Sequence, residues 1–96
     1  MSTTALSSDL LTTTTTVVQN GSYLNSLQVL TDGVNAATVT VFNNTAASGV
    51  VVAKIVVPGA NSYSGIAFLV PVRCDIGITV QIAGTGAAAI VTHSGR

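Results

Sequence analysis

The sequence predicts an all-β chain that folds as a single small antiparallel β-sandwich of about seven strands, with an extended N-terminal arm. The chain has 96 residues, which is enough for one domain. The β-branched residues Val, Ile and Thr dominate it, whereas strong helix formers such as Glu, Lys, Gln, Arg and Met are scarce or absent. Turn residues separate the apolar segments at short intervals, which is typical of sandwiches and barrels.

Two segments alternate polar and apolar residues with the period of a β-strand. These are residues 38–41 (TVTV) and residues 77–82 (GITVQI). Because successive side chains of a strand point to opposite faces, this alternation predicts strands with one buried and one solvated face.

Turn signals set the limits of the remaining strands. Asn-Gly, Asp-Gly and Gly-rich pairs supply the positive φ angles of tight turns. Pro58 and Pro71 are each expected to end a strand, because proline lacks the backbone donor of the ladder. The predicted strands comprise residues 12–19, 23–31, 38–42, 50–57, 64–70, 78–82 and 88–93.

The periodicity also predicts the core of the sandwich. Its members are the apolar residues expected on the inward face of each strand. They are Leu27, Val29, Val39, Val41, Ala53, Ile55, Val57, Ile66, Phe68, Ile78, Val80, Ile82 and Ile90.

Residues 50–57 differ from the other strands because they are apolar on both faces. Val50, Val52 and Val56 are expected on the face opposite to the core. A strand that is apolar on both faces is covered on both. The second cover is either another subunit or a loop or arm of the same chain, and the sequence leaves both open.

The first sixteen residues form a segment of different composition, rich in Ser and Thr. Leu6, Leu10 and Leu11 are its large apolar residues and are candidate anchors at an interface with another protein chain. Residues 1–16 are interpreted as an arm that pairs with a neighbouring subunit or as a frayed terminus followed by a first strand. Residues 17–96 then form the β-sandwich domain.

The charge content is unusually low. Only 6% of the residues are charged, with three basic and three acidic side chains and no net charge, where about a quarter is typical of soluble domains. We interpret this as a surface covered by partners, and we expect a homo-oligomer. So few basic residues make nucleic acid an improbable partner.

Neither a membrane span nor an export signal is expected. The longest apolar run, residues 50–57, is interrupted by Lys54 and is far shorter than a spanning helix. The first eleven residues contain no basic segment and no apolar run. Synthesis in a host cytoplasm follows as an expectation, and the single cysteine fits a reducing compartment.

No constellation for catalysis, metal binding or cofactor binding is apparent, and the chain is predicted not to be an enzyme. His93 is the only histidine and has no positioned nucleophile and acid around it in the sequence. Cys74 lies between Arg73 and Asp75, where the arginine would favour a reactive thiolate. A structural, partly buried cysteine is the preferred interpretation.

Four blocks of sequence, taken in order, resemble a group of very short virion structural proteins of tailed bacteriophages. The resemblance covers residues 21–96. The blocks are DGVNAATVTVF (32–42), AKIVVPGA (53–60), PVRCDIGI (71–78) and GTGA (84–87). The resemblance implies a small β-sandwich located in the virion, with the major capsid protein or other virion proteins as partners.

Three functions therefore compete at the level of sequence. The first is a trimeric capsid decoration or cement protein that bridges and stabilises capsomers. The second is a tail, fibre or adaptor component of the virion. The third is a stand-alone β-sandwich binding module. The copy number per virion separates the first two, and a soluble monomer at high concentration would favour the third.

Overall fold

The computed structural model describes the backbone of residues 6–58 and 63–94, and the side chains of residues 7–58 and 72–94. These residues form eight β-strands and no helix. The strands are β1 (Leu6–Ser7), β2 (Thr15–Val18), β3 (Ser22–Leu30), β4 (Ala37–Asn43), β5 (Val50–Val57), β6 (Tyr63–Cys74), β7 (Ile78–Ala83) and β8 (Ala88–Ser94). The predicted all-β class is confirmed, and the additional strand is the short β1.

The strands form two four-stranded antiparallel sheets that pack into a sandwich. The first sheet has the order β1-β8-β3-β6 and the second has the order β2-β7-β4-β5. The first strand pairs with the last, the second with the seventh, the third with the sixth and the fourth with the fifth. The chain is therefore one long hairpin rolled up so that β8 meets β3 and β7 meets β4. This winding is a jelly roll, an eight-stranded form of the β-sandwich.

The N-terminal segment lies on its own chain from Leu6 onward. Leu6 pairs with His93 in β8, and Leu11 exchanges two backbone hydrogen bonds with Ala89 at 2.7 and 2.8 Å. Thr15 and Thr16 then pair with β7 in the other sheet. The expectation of an arm reaching a neighbouring subunit does not describe these residues, because their backbone groups already bond to β8 and β7.

The core consists of the inward residues of both sheets. It confirms the predicted Leu27, Val29, Val39, Val41, Val57, Ile78 and Val80, while Ala53, Ile55 and Ile82 pack partly buried at its border. Ile66 and Phe68 lie outside the described side chains. The core also contains Leu24, Ala37, Cys74, Ala87, Ala89 and Val91, which the periodicity did not single out.

Ile90 was predicted as a core residue, and this prediction is wrong. β8 places Ala89 and Val91 in the core, with no exposed surface on either. Because side chains alternate along a strand, Ile90 between them points to the opposite face. It pairs with Gln28, which is exposed.

Pro71 does not end its strand, contrary to the prediction, because β6 continues to Cys74. β6 is an edge strand that pairs only with β3 among the described strands. Its register with β3 shifts between Leu24, opposite Val72, and Ser26, opposite Ala67. Pro71 lies in this irregular stretch, where a missing backbone donor removes no ladder hydrogen bond. Pro58 ends β5 as predicted.

Candidate interaction surface

β5 forms a free edge of the second sheet. Among the strands that the structure describes, it pairs only with β4. An edge strand presents unpaired backbone donors and acceptors on its open side, which makes it a template for another strand. β5 is eight residues long, so this template is a long one.

The turn before β5 is built by local polar contacts. The Asn44 side chain accepts a hydrogen bond from the Thr45 amide at 2.8 Å and donates one to the Ser48 carbonyl at 2.8 Å. Gly49 has a φ of +95°, a value that side chains other than glycine rarely adopt. This loop closes the β4–β5 hairpin and fixes where β5 begins.

A β-bulge at Val52 determines which side chains of β5 face solvent. Val41 pairs with Ala53, and the next residue of β4, Phe42, pairs with Val51. Val52 is thus the extra residue, and the side chains before it change faces relative to those after it. Val52 packs against the core instead of facing solvent.

The outer face of β5 carries Val51, Lys54 and Val56. They pair with Phe42, Thr40 and Thr38, which alternate with the core residues Val39 and Val41 of β4 and so lie on its other face. Phe42 and Thr40 are nevertheless buried on that face. Val51 is 50% exposed and Val56 is 60% exposed. Val50, at the start of the strand, pairs with Asn43 and so lies on the other face of the strand end, where it is 68% exposed. We call Val50, Val51, Lys54 and Val56 the β5 patch.

The sequence predicted that Val50, Val52 and Val56 share one interface face. The bulge separates Val52 from the other two. Val50 and Val56 are exposed as expected for interface residues, but Val52 is not part of that surface. Val51, which the alternation placed toward the core, takes its place. The run Val50-Val51-Val52 gives no sign of the bulge, because its residues are identical.

The predicted anchors Leu6, Leu10 and Leu11 do not adjoin the β5 patch, and Leu10 and Leu11 have different surroundings. Leu10 is 57% exposed, whereas Leu11 packs against the core. The side chain of Leu6 lies outside the described side chains. β1 is the first strand of its sheet, whereas β5 is the last of the other sheet and packs near β6. The leucines and the β5 patch therefore occupy opposite sides of the sandwich.

Of the two candidate reactive side chains, Cys74 is buried and His93 is partly buried. Cys74 has no exposed surface, and burial together with the nearby Asp75 raises the pKa of its thiol. This contradicts the idea that Arg73 activates it. Partial burial lowers the pKa of His93. Neither environment favours the charged form that nucleophilic or acid chemistry would use.

The sequence did not reveal a polar cluster on the outer face of the first sheet. The Arg73 Nε donates to Asp75 Oδ1 at 2.9 Å, and the guanidinium carbon lies 5.1 Å from the centre of the Tyr23 ring. The hydrogen bond that Arg73 donates to Asp75, and then the one with Tyr23, raises the pKa of Arg73. This contact depends on the pairing of Tyr23 with Arg73, which spans fifty positions and has no local signature.

The described residues show neither a metal-binding cluster nor a helix that could span a membrane. No group of three or more His, Cys, Asp or Glu residues in residues 6–58 and 63–94 is arranged to hold a metal ion. In the same part of the chain, no helix has the length and apolar character needed to cross a membrane.

Comparison of the chain with protein-family models, with curated proteins and with solved structures found no match. The functional argument therefore depends on the fold, the β5 patch and the composition.

Proposed function

We propose that this chain is a non-enzymatic structural protein of a tailed-bacteriophage virion, where it acts as a capsid decoration or cement protein. The observation that carries the proposal is the β5 patch. Three valines, each at least half exposed, lie on one free sheet edge in a chain with 6% charged residues. Exposed apolar surface that is concentrated in this way marks a contact with another molecule.

The fold supports the same proposal. Jelly rolls occur in viral capsid proteins as well as in lectins and cupins, so the fold is compatible with a virion role without requiring it. The shielded Cys74 and His93 agree with a mechanical role. In that role each copy contacts neighbouring capsomers and raises the free energy needed to separate them.

The proposed assembly is a homotrimer that binds the major capsid protein. A threefold unit would place three β5 patches on one particle and so increase its affinity for a repeating lattice. Light scattering on purified protein should then give a mass near three times 9.6 kDa.

The proposal is tested by counting this chain in purified virions with quantitative mass spectrometry, relative to the major capsid protein. A decoration protein should be present on the order of hundreds of copies, because it follows the capsid lattice. A few copies to dozens would assign it to the tail, fibre or adaptor. Absence from the virion would contradict both assignments and favour a stand-alone binding module.

A further inference from the structure

We propose that the free edge of β5 binds an extended segment of a different protein by strand addition, and that this segment carries Asp or Glu opposite Lys54. A β-branched apolar residue two positions along would lie opposite Val56. The proposal rests on the proposed function, because a virion lattice supplies such a segment in many copies. It names the chemistry of the partner that the β5 patch recognises.

The backbone of β5 provides the first requirement for strand addition. After the bulge at Val52, Ala53 to Val57 pair with β4 in an unbroken register. Alternate backbone groups along this stretch therefore point away from β4. A partner strand can pair with about five residues before Pro58 ends the edge.

Lys54 provides the second requirement, which is specificity. It lies on the exposed outer face between Val51 and Val56. Among the described residues it has no ion-pair partner. Residues directly opposite each other on neighbouring strands interact, and opposite charges at such positions are favourable. A carboxylate on the incoming strand would therefore meet this ammonium group.

A second copy of this chain fits the edge poorly. The antiparallel pair that overlaps Ala53 to Val57 completely has its twofold axis at Ile55 and sets Lys54 opposite Val56, so neither lysine meets a carboxylate. Moving the axis to Lys54 keeps the faces matched but sets the two lysines opposite each other. Like charges in that position are destabilising. A lysine in the middle of an edge strand is a common way to prevent self-pairing.

A second copy also lacks a free carboxylate in any described strand. Asp9 has a φ of +64°, which is not an extended conformation. The Asp32 carboxylate accepts hydrogen bonds from the amides of Val34 and Asn35. Asp75 is held by Arg73. The acid that complements Lys54 therefore comes from another protein.

The test uses short capped peptides and the full isotope-labelled chain, observed by solution NMR. The first peptide is threonine-rich with Glu at its centre and Val two positions to either side. Matched peptides carry Gln or Lys at the centre. We expect amide shifts concentrated in residues 50–57. The Glu peptide should bind about 1.5- to 5-fold more tightly than the Gln peptide, and the Lys peptide most weakly.

Variants of the chain then test the role of Lys54. Lys54→Glu should reverse the order of the Glu and Lys peptides, whereas Lys54→Arg should preserve it. Val34→Thr is the matched control, because Val34 is 79% exposed in the loop between β3 and β4 and is not part of the β5 patch, and it should leave every affinity unchanged. Methylation of alternate peptide amides should abolish binding if backbone pairing is involved.

Three results would overturn the proposal. They are the absence of shifts in β5, a peptide order that Lys54→Glu leaves unchanged, and a self-associated species in which β5 amides are protected from exchange. The last result would show that a second copy fills the edge. If the chain is abundant in virions but fails the peptide test, the proposed function stands and strand addition at β5 is rejected. If Lys54→Glu reverses the peptide order but the chain is absent from virions, strand addition stands and the proposed function is rejected.

Discussion

Leu10 and Leu11 are adjacent in the sequence but have different surroundings, so alanine at each position gives different expected stabilities. Leu11 packs against the core and bonds through its backbone to Ala89, whereas Leu10 is 57% exposed. Replacing a fully buried leucine with alanine costs about 2–5 kcal/mol. For the partly buried Leu11 we expect about half of this, or about 1–2.5 kcal/mol. Leu10→Ala should change stability by less than about 0.5 kcal/mol.

Thermal and urea unfolding, followed by circular dichroism, measure both variants. For a domain of this size, 1 kcal/mol corresponds to about 4–8 °C in Tm. Leu11→Ala should therefore lower Tm by about 4–20 °C, and Leu10→Ala by no more than about 4 °C. The matched substitution at the neighbouring leucine controls for chain entropy and for the loss of a side chain. Equal effects would refute the placement of the N-terminal segment on β8 of its own chain.

Three further predictions concern a turn, an acid and the buried thiol. Gly84→Ala should cost about 1–3 kcal/mol in urea unfolding, because φ is +117° and a Cβ would lie 2.3 Å from the Ala36 carbonyl oxygen. Gly33→Ala, at a φ of +86° with nothing within 4 Å, should cost less, and equal costs would contradict the steric argument. The backbone hydrogen bonds from Asn35 and then Val34 lower the pKa of Asp32 below 3.8. Its contribution to stability is thus present above pH 3.8 and is lost as the pH falls. Asp32→Asn should weaken this acid dependence in unfolding curves, and an unchanged dependence would argue against the turn. Burial raises the pKa of the Cys74 thiol above 9.0, so stability should decline as the pH rises above that value. A thiol reagent should label Cys74 only as fast as the chain unfolds, and rapid labelling under native conditions would show that it is not buried.

The strands whose limits depend on local chemistry were predictable from the sequence. The alternation of residues 38–41 fixed β4, and it placed Val39 and Val41 in the core. Pro58 marked the end of β5. Each of these signals acts within a few residues, so no knowledge of the partner strand is needed.

The features that depend on register were not predictable. Val50, Val51 and Val52 are chemically identical, so only the pairing of β5 with β4 shows that Val52 is the bulged residue. Pro71 is tolerated because β6 is an edge strand with an irregular register, and the sequence does not reveal which strands lie at edges.

The position of the N-terminal segment was also not predictable from the sequence. Leu6 to Leu11 contact β8 at the opposite end of the chain, and a polar, threonine-rich segment gives no indication of its partner. The jelly-roll winding likewise arises from pairings between the first and last strands, which no local pattern records.

Capsid binding through the β5 patch tests the account most directly. Exposures of 68%, 50% and 60% for Val50, Val51 and Val56 correspond to about 1.8 fully exposed valines. At about 1.5 kcal/mol for each fully covered valine, complete coverage contributes up to about 2.7 kcal/mol, or roughly a hundredfold in affinity.

The measurement is cosedimentation of the purified chain with undecorated capsids of the phage in which the proposal places it, over a range of concentrations. We predict saturable binding by the wild type and by Val34→Thr. We predict binding up to about tenfold weaker for the double variant Val51→Thr and Val56→Thr, with unchanged Tm. No binding by the wild type, or equal binding by all three proteins, would contradict the account.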